Sequence, residues 1–167
     1  MLEKEFWSLH MAAQTYRNGQ KYYGTFPEGF IKRIEQRWGS GFIIQPFAGT
    51  SKYGLTIDLN REIRPSIVAD GSMLPVKEDT ADLVLVDMPY DDEAHRKYGS
   101  KPLKIHTALD EATRVCRPGG HIAFLHFITP RKPKGTERVA LIAISTGPDR
   151  RIRALSVFRK LYTEDKR

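Results

Sequence analysis

Apolar residues recur along the chain with two spacings, one typical of helices and one typical of buried strands. Between Phe30 and Trp38 they return every three or four residues, and Gly39 ends the pattern. Leu103–Cys116 shows the same spacing and is followed by Pro118-Gly119-Gly120. These two segments are predicted helices, and residues 1–40 are expected to form an N-terminal helical segment.

Short, continuous apolar runs predict strands that are buried on both faces. Five of them precede residue 126: Phe42–Ile44, Leu55–Ile57, Ile67–Ala69, Leu83–Val86 and Ile122–Leu125. Val139–Ser145 and Leu155–Phe158 flank the turn-rich stretch Thr146–Arg150 and predict an antiparallel pair. Strands that alternate with helices indicate an α/β fold, a doubly wound and mostly parallel seven-stranded sheet with an antiparallel C-terminal hairpin.

The connections between the first three strands are unusually short. Only about ten residues separate one from the next, whereas a parallel crossover normally takes a dozen or more and contains a helix. If the crossovers are reduced to loops, one sheet face lacks its helices. We expect the N-terminal segment, Leu103–Cys116 or another subunit to cover that face, and the last alternative predicts a homodimer.

Composition limits the classes of protein to consider. The 167 residues suffice for a single domain, and no apolar run has the length of a membrane span. Cys116 is the only cysteine, so an internal disulfide is excluded, and five scattered histidines indicate no metal site. The absence of signal-peptide order and the single cysteine favour a cytoplasmic protein.

A net charge of +7 and a pI near 9.6 favour a polyanionic partner, with nucleic acid as the leading class. The alternative is a solvated basic surface without a partner. The basic residues concentrate in four stretches: Arg96–Lys104, Arg131–Lys134, Arg150–Arg153 and Arg159–Arg167.

The segment Val84–Tyr90 carries the most specific chemistry. An apolar strand ends there in Asp87-Met88-Pro89-Tyr90, which presents a carboxylate, a stiff turn and an aromatic ring. Asp87 and the Met88 carbonyl could accept from an amino group, and Tyr90 could stack on a base. An ordinary strand followed by a turn is the structural alternative.

Two other predicted strands also end in acids. Asp58 closes the second strand, after the small-residue turn Gln45–Ser51, and is placed to accept from ribose hydroxyls. Asp70-Gly71-Ser72 closes the third strand and could reach an adenine amino group. Because ligands bind at the carboxyl ends of strands in open α/β sheets, three such acids indicate a binding site.

Taken in order, these motifs resemble the class I S-adenosylmethionine-dependent methyltransferases, and in particular the amino-methyltransferases of DNA. The similarity spans about residues 20 to 160. Five stretches carry it: Thr25-Phe26-Pro27-Glu28, Pro46-Phe47-Ala48-Gly49, the acids Asp58 and Asp70, Asp87-Met88-Pro89-Tyr90 (against Asp-Pro-Pro-Tyr in the family), and Arg114–Gly120.

The resemblance implies a single Rossmann-like methyltransferase domain over residues 1–167, with a cofactor half and catalytic turn at 41–90, a substrate-side half at 91–167, and no separate target-recognition domain. It implies S-adenosylmethionine as cofactor and Asp87, Met88, Pro89 and Tyr90 as catalytic residues. The implied cofactor contacts are Phe26, Pro27, Pro46, Phe47, Ala48, Gly49, Asp58, Leu59, Asp70, Gly71, Ser72 and Asp87.

The expected activity is N-methylation of an exocyclic amino group of a nucleic-acid base, with DNA adenine N6 or cytosine N4 favoured. The alternatives are an RNA or protein-amide methyltransferase, a catalytically degenerate nucleic-acid-binding subunit and, ranked lower, a small-molecule methyltransferase. A second subunit could supply specificity.

The chain departs from the family pattern at three places. Gln45 replaces an aspartate, Thr50-Ser51 replaces a second glycine, and Met88 replaces the first proline.

Other chemistry-bearing residues have balanced or structural interpretations. Residues 91–99 are either a mobile phosphate-gripping lid or a solvated loop. Cys116, His121 and His126 are expected in structural roles. The aromatic cluster Tyr16, Tyr22, Tyr23 and Phe26 is expected to pack rather than to stack bases.

Overall fold

The computed structural model describes residues 2–10, 15–17, 20–22, 26–39, 41–90, 103–146 and 152–162. Its elements in chain order are β1 Glu3–Leu9, β2 Thr15–Arg17, β3 Gln20–Tyr22, α1 Phe30–Trp38, β4 Ile43–Pro46, β5 Leu55–Asp58, β6 Ile67–Val68, β7 Ala81–Val86, α2 Ile105–Val115, β8 Cys116–His126, β9 Thr136–Thr146 and β10 Ile152–Lys160. A 3₁₀ turn, Arg61–Ile63, lies between β5 and β6.

One eight-stranded sheet organises the chain, in the order β1-β9-β10-β8-β7-β4-β5-β6. All pairings among the strands β4 to β8 are parallel. The strand β10 lies between β8 and β9 and is antiparallel to both. The strands β2 and β3 form a separate antiparallel pair. The prediction of a mostly parallel sheet with an antiparallel C-terminal hairpin is confirmed.

The sheet has eight strands rather than seven because β1 adds to its edge, parallel to β9. The prediction of a helical N-terminal segment is therefore wrong for residues 3–9, although α1 forms where helical spacing predicted it. Trp7 and Leu9 are buried and the residues between and before them, Ser8 and Phe6, are exposed, a period-two pattern that is short and that the apolar Phe6 obscures. The Trp7 ring packs edge-on against Phe30 of α1, with 6.4 Å between ring centroids.

Two apolar cores lie on opposite faces of the sheet. On one face Phe30, Ile34 and Trp38 of α1 pack against inward side chains of the central strands, including Leu83 and Leu85. On the other face the buried side chains of α2 pack against the alternate positions, including Val84 and Val86. Since adjacent strand residues point to opposite faces, the apolar runs serve both cores at once.

The short crossovers exist as predicted. Residues 47–54, between β4 and β5, contain no helix, and the β5–β6 connection contains only the 3₁₀ turn. Gly54 makes the first connection possible, because its φ is 67° and a Cβ there would lie 2.7 Å from the Ile43 carbonyl oxygen. Helix α1 of the N-terminal segment covers one face of the sheet and α2 covers the other. These are two of the three coverings that the sequence predicts, and the third, a homodimer, stays a prediction.

Lys160, at the end of β10, holds the C-terminal end of α2. Its Nζ donates to the carbonyl oxygens of Thr113 at 2.7 Å and Cys116 at 2.9 Å, and it pairs with Asp79 at 2.6 Å. An ammonium group satisfies the unpaired carbonyls of a helix end and opposes the negative end of its dipole. Lys160 was grouped with the basic stretch expected to contact a polyanion, and its role here is structural.

No helix among the described residues is long and apolar enough to cross a membrane.

Lys160→Met should lower the free energy of unfolding by about 2 kcal/mol, because it leaves helix-end carbonyls and Asp79 without their charged donor. Urea unfolding followed by circular dichroism measures the loss. Lys77→Met, at an exposed loop position, is the matched control and should change stability by less than about 0.5 kcal/mol. Equal stabilities for the two variants would refute this role of Lys160.

Candidate active site

The three predicted strand-end acids lie at the carboxyl edge of the parallel strands. Asp58 is the last residue of β5, Asp70 follows β6, and Asp87 follows β7. Since β4 is the neighbour of both β5 and β7, its loop leaves the sheet between Asp58 and Asp87. Neighbouring strands lie about 4.8 Å apart, so the predicted cofactor loop and catalytic turn occupy one short stretch of this edge.

The loop after β4 is a tight turn fastened to Asp58. Phe47 and Gly49 both have left-handed backbones, with φ of 56° and 53°. The Gly49 amide donates to Asp58 Oδ2 at 2.9 Å, and the Asn60 amide donates to Oδ1 at 2.9 Å. The carboxylate therefore joins the ends of β4 and β5, and each oxygen retains a lone pair for a further donor.

Two departures from the family pattern contact each other. Ser51 Oγ donates to Gln45 Oε1 at 2.8 Å, and both residues are buried. The pair closes the base of the loop with a neutral hydrogen bond between side chains. Gln45 and Ser51 are thus a matched pair, since each satisfies a polar group that the other would leave buried alone.

The third strand end is arranged around Gly71. Asp70 Oδ1 accepts from the Ser72 amide at 2.8 Å and from its hydroxyl at 2.7 Å, and Asp70 is exposed. A Cβ on Gly71 would lie 2.4 Å from the ring of Phe47. The Phe47 ring therefore lies against this turn, and the predicted contacts Phe47, Asp70, Gly71 and Ser72 come together.

The other predicted cofactor contacts are divided between the edge and the core. Leu59, next to Asp58, is 44% exposed, whereas Pro46 and Ala48 are buried in the loop. Phe26 stacks on Phe30 with 4.7 Å between ring centroids, in the core under α1, and Pro27 is buried beside it. The structure thus places Phe26 and Pro27 in packing against α1.

The predicted catalytic turn forms a polar network with a residue from a distant strand. Tyr90 donates its hydroxyl proton to Asp87 Oδ1 at 2.9 Å. Arg153 of β10 donates through Nη1 to the Tyr90 oxygen at 2.7 Å and pairs with Asp87 Oδ2 at 3.4 Å. The side chains of Asp87 and Arg153 are only 12% and 10% exposed.

Burial and charge act in opposite directions on this network. Burial raises the pKa of Asp87, and the Arg153 guanidinium opposes that rise. Burial, together with the neighbouring Asp87 charge, raises the pKa of the Tyr90 hydroxyl. Tyr90 therefore remains a neutral hydrogen-bond donor, and Arg153 is the charge that favours a carboxylate at Asp87.

The remaining positions of the turn differ in exposure. The Met88 side chain is 2% exposed and belongs to the core under α2. Pro89 is half-buried, and the described part of the chain contains no cis peptide bond.

Aromatic rings surround Tyr90. Phe127, 38% exposed, packs edge-on against it with 4.5 Å between centroids, and His126 does so at 5.2 Å. His126 Nδ1 accepts from the Ile128 amide at 3.0 Å, and burial lowers the His126 pKa. His126 is thus a neutral, satisfied structural histidine, as expected.

Cys116 is not a candidate nucleophile. It is the first residue of β8 rather than part of a helix, and it is fully buried. Burial raises the pKa of its thiol to about 12. Among the described residues, no cluster of three or more His, Cys, Asp or Glu side chains could hold a metal ion.

Several predicted features lie outside the described residues or side chains. They are Thr25, the candidate lid at residues 91–99, and the side chains of Tyr16, Tyr22 and Tyr23.

Solved structures provide the comparison with known proteins, since no family model and no curated protein matches the sequence. A Burkholderia thailandensis N1-methyltransferase solved with S-adenosylhomocysteine superposes with a TM-score of 0.51 at 12% identity, over 72% of this chain and 71% of that one. A Haloferax volcanii putative methyltransferase, in complex with the Trm112 activator, gives 0.55 at 13% identity over 80% and 89%. The fold is that of the S-adenosylmethionine-dependent methyltransferases.

TrmN from Thermus thermophilus is also similar, with a TM-score of 0.56 and 18% identity over 77% of this chain. This chain spans only 46% of TrmN. Identities this low establish the methyltransferase fold alone, and the activity has to be argued from the residues at the edge of the sheet.

Sequence reasoning missed two residues of the site, Arg153 and Phe127. The sequence places Arg153 in a basic stretch, although its alternation with Leu155 and Val157 indicates that it shares their buried face of the sheet. Phe127 directly follows an apolar strand, at the same edge as the acids. The alternation of residues along β10 could have indicated that Arg153 is buried. It could not have indicated that β10 lies beside β8, which brings Arg153 to Asp87.

A double-mutant cycle at Gln45 and Ser51 tests whether the two departures act as a pair. Ser51→Ala or Gln45→Ala alone should cost about 1–3 kcal/mol, because each leaves a buried polar group without a partner. The double variant should cost less than the sum of the two, by about 1 kcal/mol.

Urea unfolding of the four proteins measures the coupling. Thr50→Ala, at the neighbouring position, is the control and should show no coupling to Gln45. Strictly additive losses at Gln45 and Ser51 would contradict the pairing.

Proposed function

We propose that this protein is an S-adenosylmethionine-dependent N-methyltransferase acting on an exocyclic amino group of a nucleic-acid base. One observation carries the proposal: the Asp58-fastened loop of β4 lies immediately beside the Asp87–Tyr90 turn, at the carboxyl edge of a methyltransferase fold. This arrangement can hold a donor and an acceptor side by side, which is the main requirement for a direct transfer.

The residues at the loop fit the proposed cofactor. Asp58 keeps free lone pairs for ribose hydroxyls, and exposed Leu59 adjoins it as an apolar surface for a base. Asp70 Oδ2 has no partner among the described residues and can accept from an adenine amino group. When bound, S-adenosylmethionine supplies a methyl group that is already activated by its sulfonium.

The turn residues fit the acceptor. A carboxylate at Asp87 accepts one N–H of an exocyclic amino group, which keeps the nitrogen lone pair free to point away from the acid. The Met88 carbonyl is proposed for the second N–H. The partly buried ring of Tyr90, flanked by Phe127, is proposed to offer a face for a flat heterocycle.

Nucleic acid is favoured as the carrier of the amino group by charge as well as by the turn. A groove of about 300 Å³ runs between the first turns of α2 and the loop Pro130–Lys134, which carries Arg131, Lys132 and Lys134. All three cations are exposed, and Asp110 is the single acid in the lining. DNA is proposed over RNA because the sequence resembles the amino-methyltransferases of DNA, with adenine N6 or cytosine N4 as target.

Two experiments test the proposal, calorimetry for cofactor binding and then nucleoside analysis for methyl transfer. S-adenosylmethionine should bind, and Asp58→Ala should weaken binding by about tenfold or more, because it removes the ribose acceptor and releases Gly49. Leu2→Ala, at a remote exposed position, is the control for nonspecific effects.

Mass spectrometry of nucleosides from DNA and RNA incubated with the protein and labelled cofactor should reveal a methylated amino base. Asp87→Asn should lower transfer by at least about 100-fold even at saturating cofactor, because it removes the carboxylate that accepts from the amino group. Methylation of RNA alone would replace DNA as the acceptor. Cofactor binding without transfer to any nucleic acid would refute the proposed reaction.

Salt dependence tests the basic groove. Replacing Arg131, Lys132 and Lys134 with Gln should weaken DNA binding and reduce the slope of log K against log salt by up to about 3, since each phosphate contact contributes about 0.9. A control with Lys4, Lys32 and Lys77 replaced by Gln removes the same charge from exposed positions elsewhere. Equal slopes for both triple variants would exclude the groove as the contact surface.

A further inference from the structure

Arg153 is buried, with 8% of the residue exposed, and no other Lys or Arg among the described residues is buried. It begins the inward-facing series of β10, and the next two members of that series, Leu155 and Val157, are fully buried apolar residues. A buried cation loses its hydration, and only a paired and hydrogen-bonded partner offsets that loss. The charge therefore needs an explanation beyond packing.

Strand pairing places Arg153 beside the catalytic turn. The antiparallel register pairs Ala154 of β10 with His126, the last residue of β8. The preceding residue, Arg153, thus reaches the carboxyl edge where β7 delivers Asp87. Among the described residues its guanidinium hydrogen-bonds to Asp87 and Tyr90.

The contacts connect three side chains in a closed set. Arg153 donates to the Tyr90 oxygen at 2.7 Å, and Tyr90 donates its proton to Asp87 at 2.9 Å. The second Asp87 oxygen lies 3.4 Å from Arg153 Nη1. Because the Tyr90 hydroxyl both accepts and donates a hydrogen bond, its oxygen is held in place. The Asp87 oxygen that accepts from it is held in place as well.

We propose that Arg153 is a positioning residue for methyl transfer, whose guanidinium orients the Asp87 carboxylate and the Tyr90 ring toward the amino-bearing base. This role rests on the proposed function and extends it to a residue of the C-terminal hairpin. The acid then presents a defined lone pair to the target N–H, and the ring is held ready for the base before substrate arrives.

The charges around Asp87 support this role. Tyr90 faces it from the turn and Arg153 faces it from β10, while His126 on β8 is neutral because burial lowers its pKa. Burial raises the Asp87 pKa and Arg153 opposes the rise, so loss of Arg153 should raise that pKa further. A larger fraction of Asp87 would then be protonated at a given pH, and the acid limb of activity would move to higher pH.

Arg153→Met and Arg153→Lys, each compared with wild type, test the proposal. Methyl transfer to the DNA or RNA substrate is measured from pH 5 to 9 under saturating cofactor. We expect Arg153→Met to lower kcat by about tenfold to hundredfold, with a smaller change in KM and an acid limb about one pH unit higher. Arg153→Lys keeps the charge and should retain the wild-type acid limb even if its activity is reduced.

A second readout does not depend on turnover. Carbon-13 NMR of the Asp87 carboxyl, assigned by its absence in Asp87→Asn, follows the titration of the acid in the protein alone. We expect its midpoint to rise by about one pH unit in Arg153→Met and to stay near wild type in Arg153→Lys. Lys32→Met, at an exposed position of α1 outside the basic stretches, is the control and should leave both readouts unchanged.

The outcomes distinguish a failure of the proposed role of Arg153 from a failure of the proposed function. Transfer by wild type with an unchanged kcat and acid limb in Arg153→Met would overturn the role of Arg153 and leave the proposed function standing. An absence of transfer by wild type to any nucleic acid would overturn the proposed function and this role with it, whatever the NMR titration shows. If Arg153→Met fails to fold, as judged by circular dichroism, the neutral variant Arg153→Gln takes its place, with the same expected loss of kcat and the same rise in the acid limb and the midpoint. Wild-type values in a folded Arg153→Gln would overturn the role of Arg153.

Discussion

The candidate site depends on the parallel pairing of β4 between β5 and β7. This pairing sets the β4 loop next to the Asp58 carboxylate on one side and next to the Asp87 turn on the other. The strand β7 contributes apolar side chains to both cores, and β5 places Leu55 and Ile57 in the core under α2, so packing holds both neighbours in place. The polar strand-end residues lie at the carboxyl edge because the apolar residues of the strands themselves are packed in the two cores.

The reduced crossovers change how the sheet is supported rather than where its ends lie. A methyltransferase fold with loops in place of helices has fewer elements to cover its faces, and in the described part of the chain one helix packs on each face. Single side chains hold α2 and the β6–β7 loop in place through hydrogen bonds to backbone carbonyl oxygens. Lys160 fastens α2 through its carbonyl end, and Arg114 of α2 donates to the carbonyl oxygens of Leu74 and Val76 at 3.0 Å in the β6–β7 loop.

The departures from the family pattern have different structural consequences. Gln45 and Ser51 compensate for each other through one buried hydrogen bond, so the loop keeps a closed base with different chemistry. Met88 places its side chain in the core under α2, where it adds apolar contact. Arg153 adds a buried cation to the turn, and this addition gives Asp87 an ionic partner that the turn sequence by itself does not contain.

The sequence by itself determined the α/β class, both helices, the course of the buried strands and the positions of the strand-end acids. Apolar spacing and strand-end chemistry are local properties, and they can be read from residues close together in the chain. The tertiary structure decided which strands are neighbours, and with them the β1–β9 pairing and the contact of Arg153 with Asp87 across 66 residues of sequence. Such contacts depend on the order of strands in the sheet, which hydrophobic periodicity does not encode.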